Sequence, residues 1–246
     1  MTDSSAPKTA TAVAEQLAAV ASPTYAYNSQ RFFKTGPGQY GEGDVFVGVR
    51  VPDTRKVVIA NRDLPLPEIS KLAHSKIHEH RLAAVLILVD QFKRAKTDEA
   101  REQIFDLYMQ LVRAGRVNNW DLVDTSTPQI VGGWLLTRAA EETQLLFELV
   151  ASENLWLRRV GIMGSAAFIN AGRAQPTLQL CELVLADKHD LIHKASGWML
   201  REVGKRVSVD ELRGFLKAHV KQMPRTMLRY SIEHLSPEER KRWLAA

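Results

Sequence analysis

From about residue 65 onward, apolar residues recur at helical spacing in long stretches separated by short polar breaks. The breaks are Leu64-Pro65-Leu66-Pro67, Gly115, Val117-Asn118-Asn119, Ser152-Glu153-Asn154, Gln175-Pro176, Asp187-Lys188-His189-Asp190 and Met223-Pro224. Pro, Gly, Asn and Asp at such points stop or start helices. The pattern predicts helices over 67–74, 78–95, 98–114, 119–137, 141–151, 154–172, 176–186, 189–206, 209–222 and 224–235, in successive pairs.

The first 64 residues read differently. Residues 1–10 are small and polar with Pro7, which predicts a disordered start. AVAEQLAAVA is a short-helix candidate over 11–21, ended by Ser22-Pro23. TGPGQYGEGD, residues 35–44, packs four glycines and a proline into one loop or hairpin. VFVGVRVP, 45–52, alternates like a short extended segment and leads into a helix at Pro52-Asp53. The domain expectation is a flexible or short-helical segment over 1–20, then a single domain over 21–246.

The helix pairs repeat. Their second members open on similar phrases: IHEHRLAAVLIL, NNWDLVDTSTPQIV, NLWLRRVGIMGS, LIHKASGWMLRE and PRTMLRYSIEHL. With Arg81, Trp120, Arg159, Lys194 and Arg229 in register, the spacings are 39, 39, 35 and 35. Two helices at such a period are the signature of HEAT-like repeats. The expected fold is an all-α, HEAT-like solenoid whose second helices line a concave basic groove. A core would not choose Arg, Lys and Trp in register, because buried unpaired cations are costly. The register positions are therefore expected to face the groove.

Charge sharpens this picture. The net charge is +5, unevenly spread: residues 1–150 hold 17 basic and 18 acidic side chains, residues 151–246 hold 16 and 10. A positive C-terminal part favours a polyanion such as nucleic acid. No apolar run is long enough for a membrane span. The lone Cys181 excludes an internal disulfide framework and fits a reducing cytoplasm. The seven histidines are read at helix ends or on polar faces; there is no HExxH and no metal-ligand spacing. GPGQYGEG lacks the Lys-Ser/Thr of a phosphate-binding loop.

The sharpest local feature is Trp120-Asp121-Leu122-Val123-Asp124. Trp120 and Asp124 are four apart and share a helix face. Lys194, Trp198 and Arg201 form a second such face, and Arg159 stands at a register position between them. Cleaving an N-glycosidic bond passes through a cationic sugar that a carboxylate stabilises. Aromatic faces attract cations, and Arg clamps phosphate. Trp156 is the better core candidate. The bland alternative for Asp124 is an ion pair with a neighbouring Arg.

VNNWDLVDTSTPQIVG, SENLWLRRVGIM, DLIHKASGWMLREVGKR and MPRTMLRYSIEHL, with KTGPGQYGEGDVFVGVRVPDTRK near the start, resemble the DNA alkylation repair family of AlkD-like alkylpurine glycosylases. The resemblance covers roughly residues 30–240. It implies a HEAT-like fold cradling double-stranded DNA and hydrolytic release of N3- and N7-alkylated purines, with no metal or cofactor. It places Asp124, Trp120 and Trp198 in catalysis and Arg159 and Arg201 on DNA. Lys194, Arg158, Arg229 and Lys205 complete the expected DNA-binding set. A monomer in the bacterial cytoplasm, at the nucleoid, is the implied setting. The chain departs from the family pattern at Phe32, where a Tyr is usual, and near Ala167, where a Lys is usual. Its segment 35–44 is also longer.

Two other readings compete: a non-catalytic protein for bent or branched DNA, and a protein-binding helical scaffold. The scaffold fits poorly with so many groove cations. Asp124 separates the first two, because a carboxylate repels phosphates and adds nothing to binding alone.

Overall fold

In a computed structural model, which describes residues 8–139 and 143–246, the chain is all-helical, as its pattern predicts. The only β pairing among the described residues is a lone bridge between Val45 and Ile77. Residues 36–43 thus form turns and bends, a loop rather than a hairpin, and residues 44–50 run without turns into the helix that begins at Val51. Most of the expected disordered start, residues 1–7, lies outside the described residues, as do 141 and 142 at the head of the expected helix 141–151. The chain forms two compact units, one through Ser126 and the other Thr127–Ala246.

The first unit holds α1 (Ala10–Ala18), α2 (Pro23–Phe32), α3 (Val51–Ala60), α4 (Leu66–Ala73), α5 (His78–Arg94), α6 (Asp98–Arg113) and α7 (Trp120–Thr127). Its centre is α5, which packs against α1, α3, α4 and α6. The reason is in its sequence. From Leu82 to Val89 it is apolar nearly all round, and a helix without a polar face must be covered on every side. α2 is the opposite case: it buries none of its residues. It was hidden from a periodicity reading because it has no apolar stripe. Ser22 caps it, its Oγ accepting from the Tyr25 amide, and Pro23 suits a first helical turn.

The second unit begins with Thr127, the last residue of α7, and a π-helical turn, Pro128–Gly132, and continues with α8 (Gly133–Leu135), α9 (Gln144–Val150), α10 (Leu155–Gly164), α11 (Ala166–Asn170), α12 (Gln175–Leu183), α13 (Asp190–Arg206), α14 (Val209–His219), α15 (Arg225–Ser231) and α16 (Pro237–Ala245). The helical-repeat character is plain here: α10 packs on α9, then on α13, and α13 packs on α15. The last helix, α16, lies beyond the expected end at 235; Ser236 caps it.

Two expected helices are broken. The helix predicted over 119–137 stops being α at Pro128, which has no N–H to donate four residues back; the chain answers with the π turn. Side chains take up the slack nearby: Thr125 Oγ1 donates to the Asp121 carbonyl at 2.7 Å, and Ser126 Oγ to that of Leu122 at 2.5 Å. The helix predicted over 154–172 divides at Ser165, whose Oγ donates to the Ile162 carbonyl at 2.7 Å.

Helices approach closely in the second unit because glycines sit at the contacts. A Cβ at Gly161 would lie 2.7 Å from the Leu146 carbonyl oxygen, and one at Gly197 would lie 2.5 Å from that of Met227. Backbone cannot yield as a flexible side chain does. Gly161→Ala and Gly197→Ala are each expected to lower stability by about 1–3 kcal/mol. Gly214, inside α14, has nothing within 4 Å of its would-be Cβ. Gly214→Ala is expected to raise stability by about 0.5–1 kcal/mol through helix propensity. Urea unfolding of the three variants checks this; equal midpoints would refute it.

Candidate functional site

In the first unit the candidate residues stand on α7. Trp120 opens the helix and Asp124 follows one turn later, both half-buried. The Trp120 ring stacks on Phe33, centroids 5.4 Å apart and 15° from parallel. It meets Phe32 edge-on at 6.0 Å. Phe33 in turn stacks on Phe46 at 4.9 Å, and both rings pack on the imidazole of His78, at 5.0 and 4.5 Å. The indole is thus the outer member of an aromatic stack with His78 at its base. Phe32, at the edge of this stack, is 66% exposed.

Under the stack lies a buried ionic cluster. His78 Nδ1 is 3.1 Å from Asp44 Oδ2, and its Nε2 is 2.8 Å from Asp121 Oδ2. Arg81 Nη2 donates to Asp44 Oδ1 at 2.6 Å, and Asn119 Nδ2 donates to Asp44 Oδ2 at 3.1 Å. Asn119 Oδ1 accepts from the Trp120 amide at 2.9 Å. Beside it, the Glu79 carboxylate accepts three successive backbone N–H groups, from Val47, Gly48 and Val49, at 3.1, 2.7 and 3.2 Å. Gly48 is needed there: its φ is +84°, and a Cβ would fall 2.0 Å from the Ser22 carbonyl oxygen. Burial works against charge on His78, but the adjacent Asp121 and Asp44 outweigh it and push the pKa up to about 9. Burial likewise opposes ionisation of Asp44, yet its bonds from His78, Arg81 and Asn119 hold its pKa below the usual value.

This cluster sharpens one expectation and corrects another. His78 does stand at a helix end, as the first residue of α5, but its side chain is only 2% exposed. Arg81, placed in register because a core should reject Arg, is buried. It is tolerated because Asp44 takes its Nη2 and the carbonyls of Ser75 and Lys76 take its Nη1. Nothing local signals this arrangement. Asp44, His78 and Asp121 are 34 and 43 residues apart in turn.

In the second unit the expected DNA-binding cations divide. Arg159, on α10, is buried, and its Nη1 donates to the Leu191 carbonyl on α13. It holds two helices together, so the expectation that it projects from the register is corrected. Arg158 is half-buried, its Nε 2.8 Å from Asp187 Oδ2 and its Nη1 donating to the carbonyls of Ser152 and Glu153. Lys194 is half-buried and pairs with Asp190 at 2.6 Å. Arg201 is half-buried and pairs with Glu233 and, at 3.3 Å, with Glu202. Arg229 and Lys205 stand exposed. Trp198 is half-buried on α13, and Trp156, expected in the core, is also only half-buried. A pocket lined by Arg201, Arg229 and Arg240 adds Arg240, which the repeat pattern did not reach because it lies on α16.

Among the described residues no group of three His, Cys, Asp or Glu side chains is placed to hold a metal ion, and no helix is long and apolar enough to cross a membrane.

The family model of the DNA alkylation repair enzymes matches residues 13–235. A solved structure described as a predicted DNA alkylation repair enzyme from Enterococcus faecalis is similar with a TM-score of 0.69. It covers 88% of this chain and 97% of that one at 18% identity, a likeness of fold. No curated protein matches.

The buried imidazolium has a consequence for stability. The pKa of His78 in the folded chain, about 9, lies above the 6.5 of an unperturbed histidine. Its contribution is fully present below pH 6.5 and is lost as pH rises through about 9. The unfolding temperature is expected to fall between pH 7 and pH 10 by the equivalent of a few kcal/mol. In His78→Gln that slope should flatten. An equally steep slope in the variant would place the effect elsewhere.

Proposed function

The chain belongs to the DNA alkylation repair enzyme family, and from that premise we propose that it is a monofunctional DNA glycosylase releasing N3- and N7-alkylated purines from double-stranded DNA. Membership gives the role in alkylation repair; the reaction and the lesion are our reading. The observation that carries it is the pairing on α7 of a half-buried Trp120, backed by three further rings, with Asp124 one turn along. A protein that only grips phosphates gains nothing from that carboxylate.

The chemistry asked of these groups is modest. An N3- or N7-alkylated purine carries a formal positive charge, so the bond from C1′ to the base nitrogen breaks with its electron pair neutralising the leaving base. The sugar is left as an oxocarbenium ion. Asp124 stabilises that cation and orients the water whose oxygen bonds to C1′, and the proton the water sheds passes to the carboxylate or to solvent. The indole face of Trp120 favours the same positive charge. Arg229, Lys205, Lys194 and Arg201 supply contacts to phosphate, the last two by exchanging carboxylate partners for phosphate. Arg158 and Arg159 support this set from within the fold.

Release of free base from a duplex holding one 7-methylguanine tests the reading. Under single turnover, Asp124→Asn is expected to slow release by about 10²–10³-fold while retaining DNA binding. Arg229→Ala and Lys205→Ala are expected to weaken binding regardless of sequence and each to lower the salt slope by about one. Binding without release by the unaltered protein would instead favour the non-catalytic DNA-binding reading.

A further inference from the structure

His78 is the first residue of α5, and both of its ring nitrogens face carboxylate oxygens. A neutral imidazole has one N–H and one lone pair. Between two ionised carboxylates it would satisfy one and set its lone pair against the other; only the imidazolium donates to both. The surroundings decide what a lost proton would do. From the turn segment, Asp44 would keep Arg81 Nη2 and Asn119 Nδ2. On α5 itself, Arg81 repels the imidazolium, while Glu79 is turned to the amides of Val47 to Val49. From α7, Asp121 would keep only the Leu122 amide, 2.9 Å from Oδ1 and within its own helix. A neutral ring would therefore keep its N–H on Asp121, which among the described residues has no other donor from outside its own helix, and turn its lone pair to Asp44, so the tie that is lost is the one from His78 to the Asp44 segment.

We propose that His78 is a positioning residue for the Trp120 and Asp124 face: as the imidazolium it joins the first turn of α7, α5 and the Asp44 segment, and on losing its proton it can hold only one of the two carboxylates, which loosens the joint between that turn and the Asp44 segment. Trp120 is held on both sides of this joint. Its amide is bound by Asn119, which is anchored on Asp44, and its ring rests on Phe33, which packs on His78 itself. Asp124 follows one turn later on the same helix. The proposal deepens the glycosylase reading and rests on it only for its kinetic arm.

The direct test is NMR of the unaltered protein. The His78 ring, identified with His78→Gln, should titrate well above pH 6.5. The Trp120 indole N–H, identified with Trp120→Phe, should shift with the same midpoint. The kinetic arm follows base release under single turnover from pH 7 to pH 10. Wild type should lose roughly 10–100-fold across that midpoint, as a small misplacement of a catalytic group does. His78→Arg keeps a permanent charge and two donors, and it should remove that alkaline loss. Alkaline change in the lesion is common to both proteins, so the ratio of variant to wild type isolates His78. A Trp120 resonance that stays fixed while His78 titrates would overturn the proposal, as would an unchanged alkaline loss in His78→Arg. Absence of release at every pH would sink the glycosylase reading instead, with the Trp120 resonance still deciding the role of His78.

Discussion

Taking a charged group out of water costs several kcal/mol unless opposite charges and hydrogen bonds stand ready for it. The first unit meets that demand in one place. Asp44 and Asp121 close on His78, Arg81 closes on Asp44, and Glu79 beside them binds backbone N–H groups. None of these groups is tolerable alone in such a site. Together they join three stretches of chain that share no secondary structure: the glycine-rich turns, the start of α5 and the start of α7. The turns hold their own short-range hydrogen bonds, such as those from the Gly41 amide to the Lys34 carbonyl and from the Asp44 amide to that of Gly41. Glu79 and His78 fasten the chain that follows them to α5, and the aromatic stack that carries Trp120 rests on that join.

The second unit solves the same problem of buried cations differently. Arg159 has a carbonyl at the start of a neighbouring helix as its partner, and Arg158 has two carbonyls and a carboxylate. These carbonyls lie in or just after the breaks between helices, at Ser152, Glu153 and Leu191. Stacking itself depends on Gly161 and Gly197, where one helix lies against the backbone of the next. Deep ionic ties organise the first unit, whereas close backbone approach and arginine staples organise the second.

What was legible in the sequence follows from this difference. Long helices such as α5, α6 and α13 showed themselves through apolar periodicity, since packing of an amphipathic or wholly apolar helix leaves that trace. The shared face of Trp120 and Asp124 was legible for the same reason: four residues of spacing within one helix is a local fact. α2 left no trace because it buries nothing. The rule that an Arg in register must face solvent failed at Arg81 and Arg159. It assumes the absence of a partner, and one partner was an Asp 37 residues away while the other was a backbone carbonyl, which every residue has. His78 stands at a helix start, where exposure is the usual outcome, yet it is buried. Its two carboxylates become visible only when the chain has folded.

The placement of charge gives the glycosylase reading its internal logic. Residues 151–246 carry the positive excess and residues 1–150 are nearly neutral. Binding a polyanion asks for cations whose present partners are weak. Lys194 with Asp190, and Arg201 with Glu233, are half-exposed pairs of the kind that contribute about 0–1 kcal/mol, so exchanging a carboxylate for a phosphate costs little. Arg159 and Arg81 are instead buried. Chemistry asks for the reverse: an anion and an aromatic face that hold still while charge develops on the sugar. Asp124 and Trp120 sit on the helix that the buried cluster secures, in the part of the sequence without excess positive charge. On the glycosylase reading, affinity would thus draw on the cations of residues 151–246, and the carboxylate chemistry on α7.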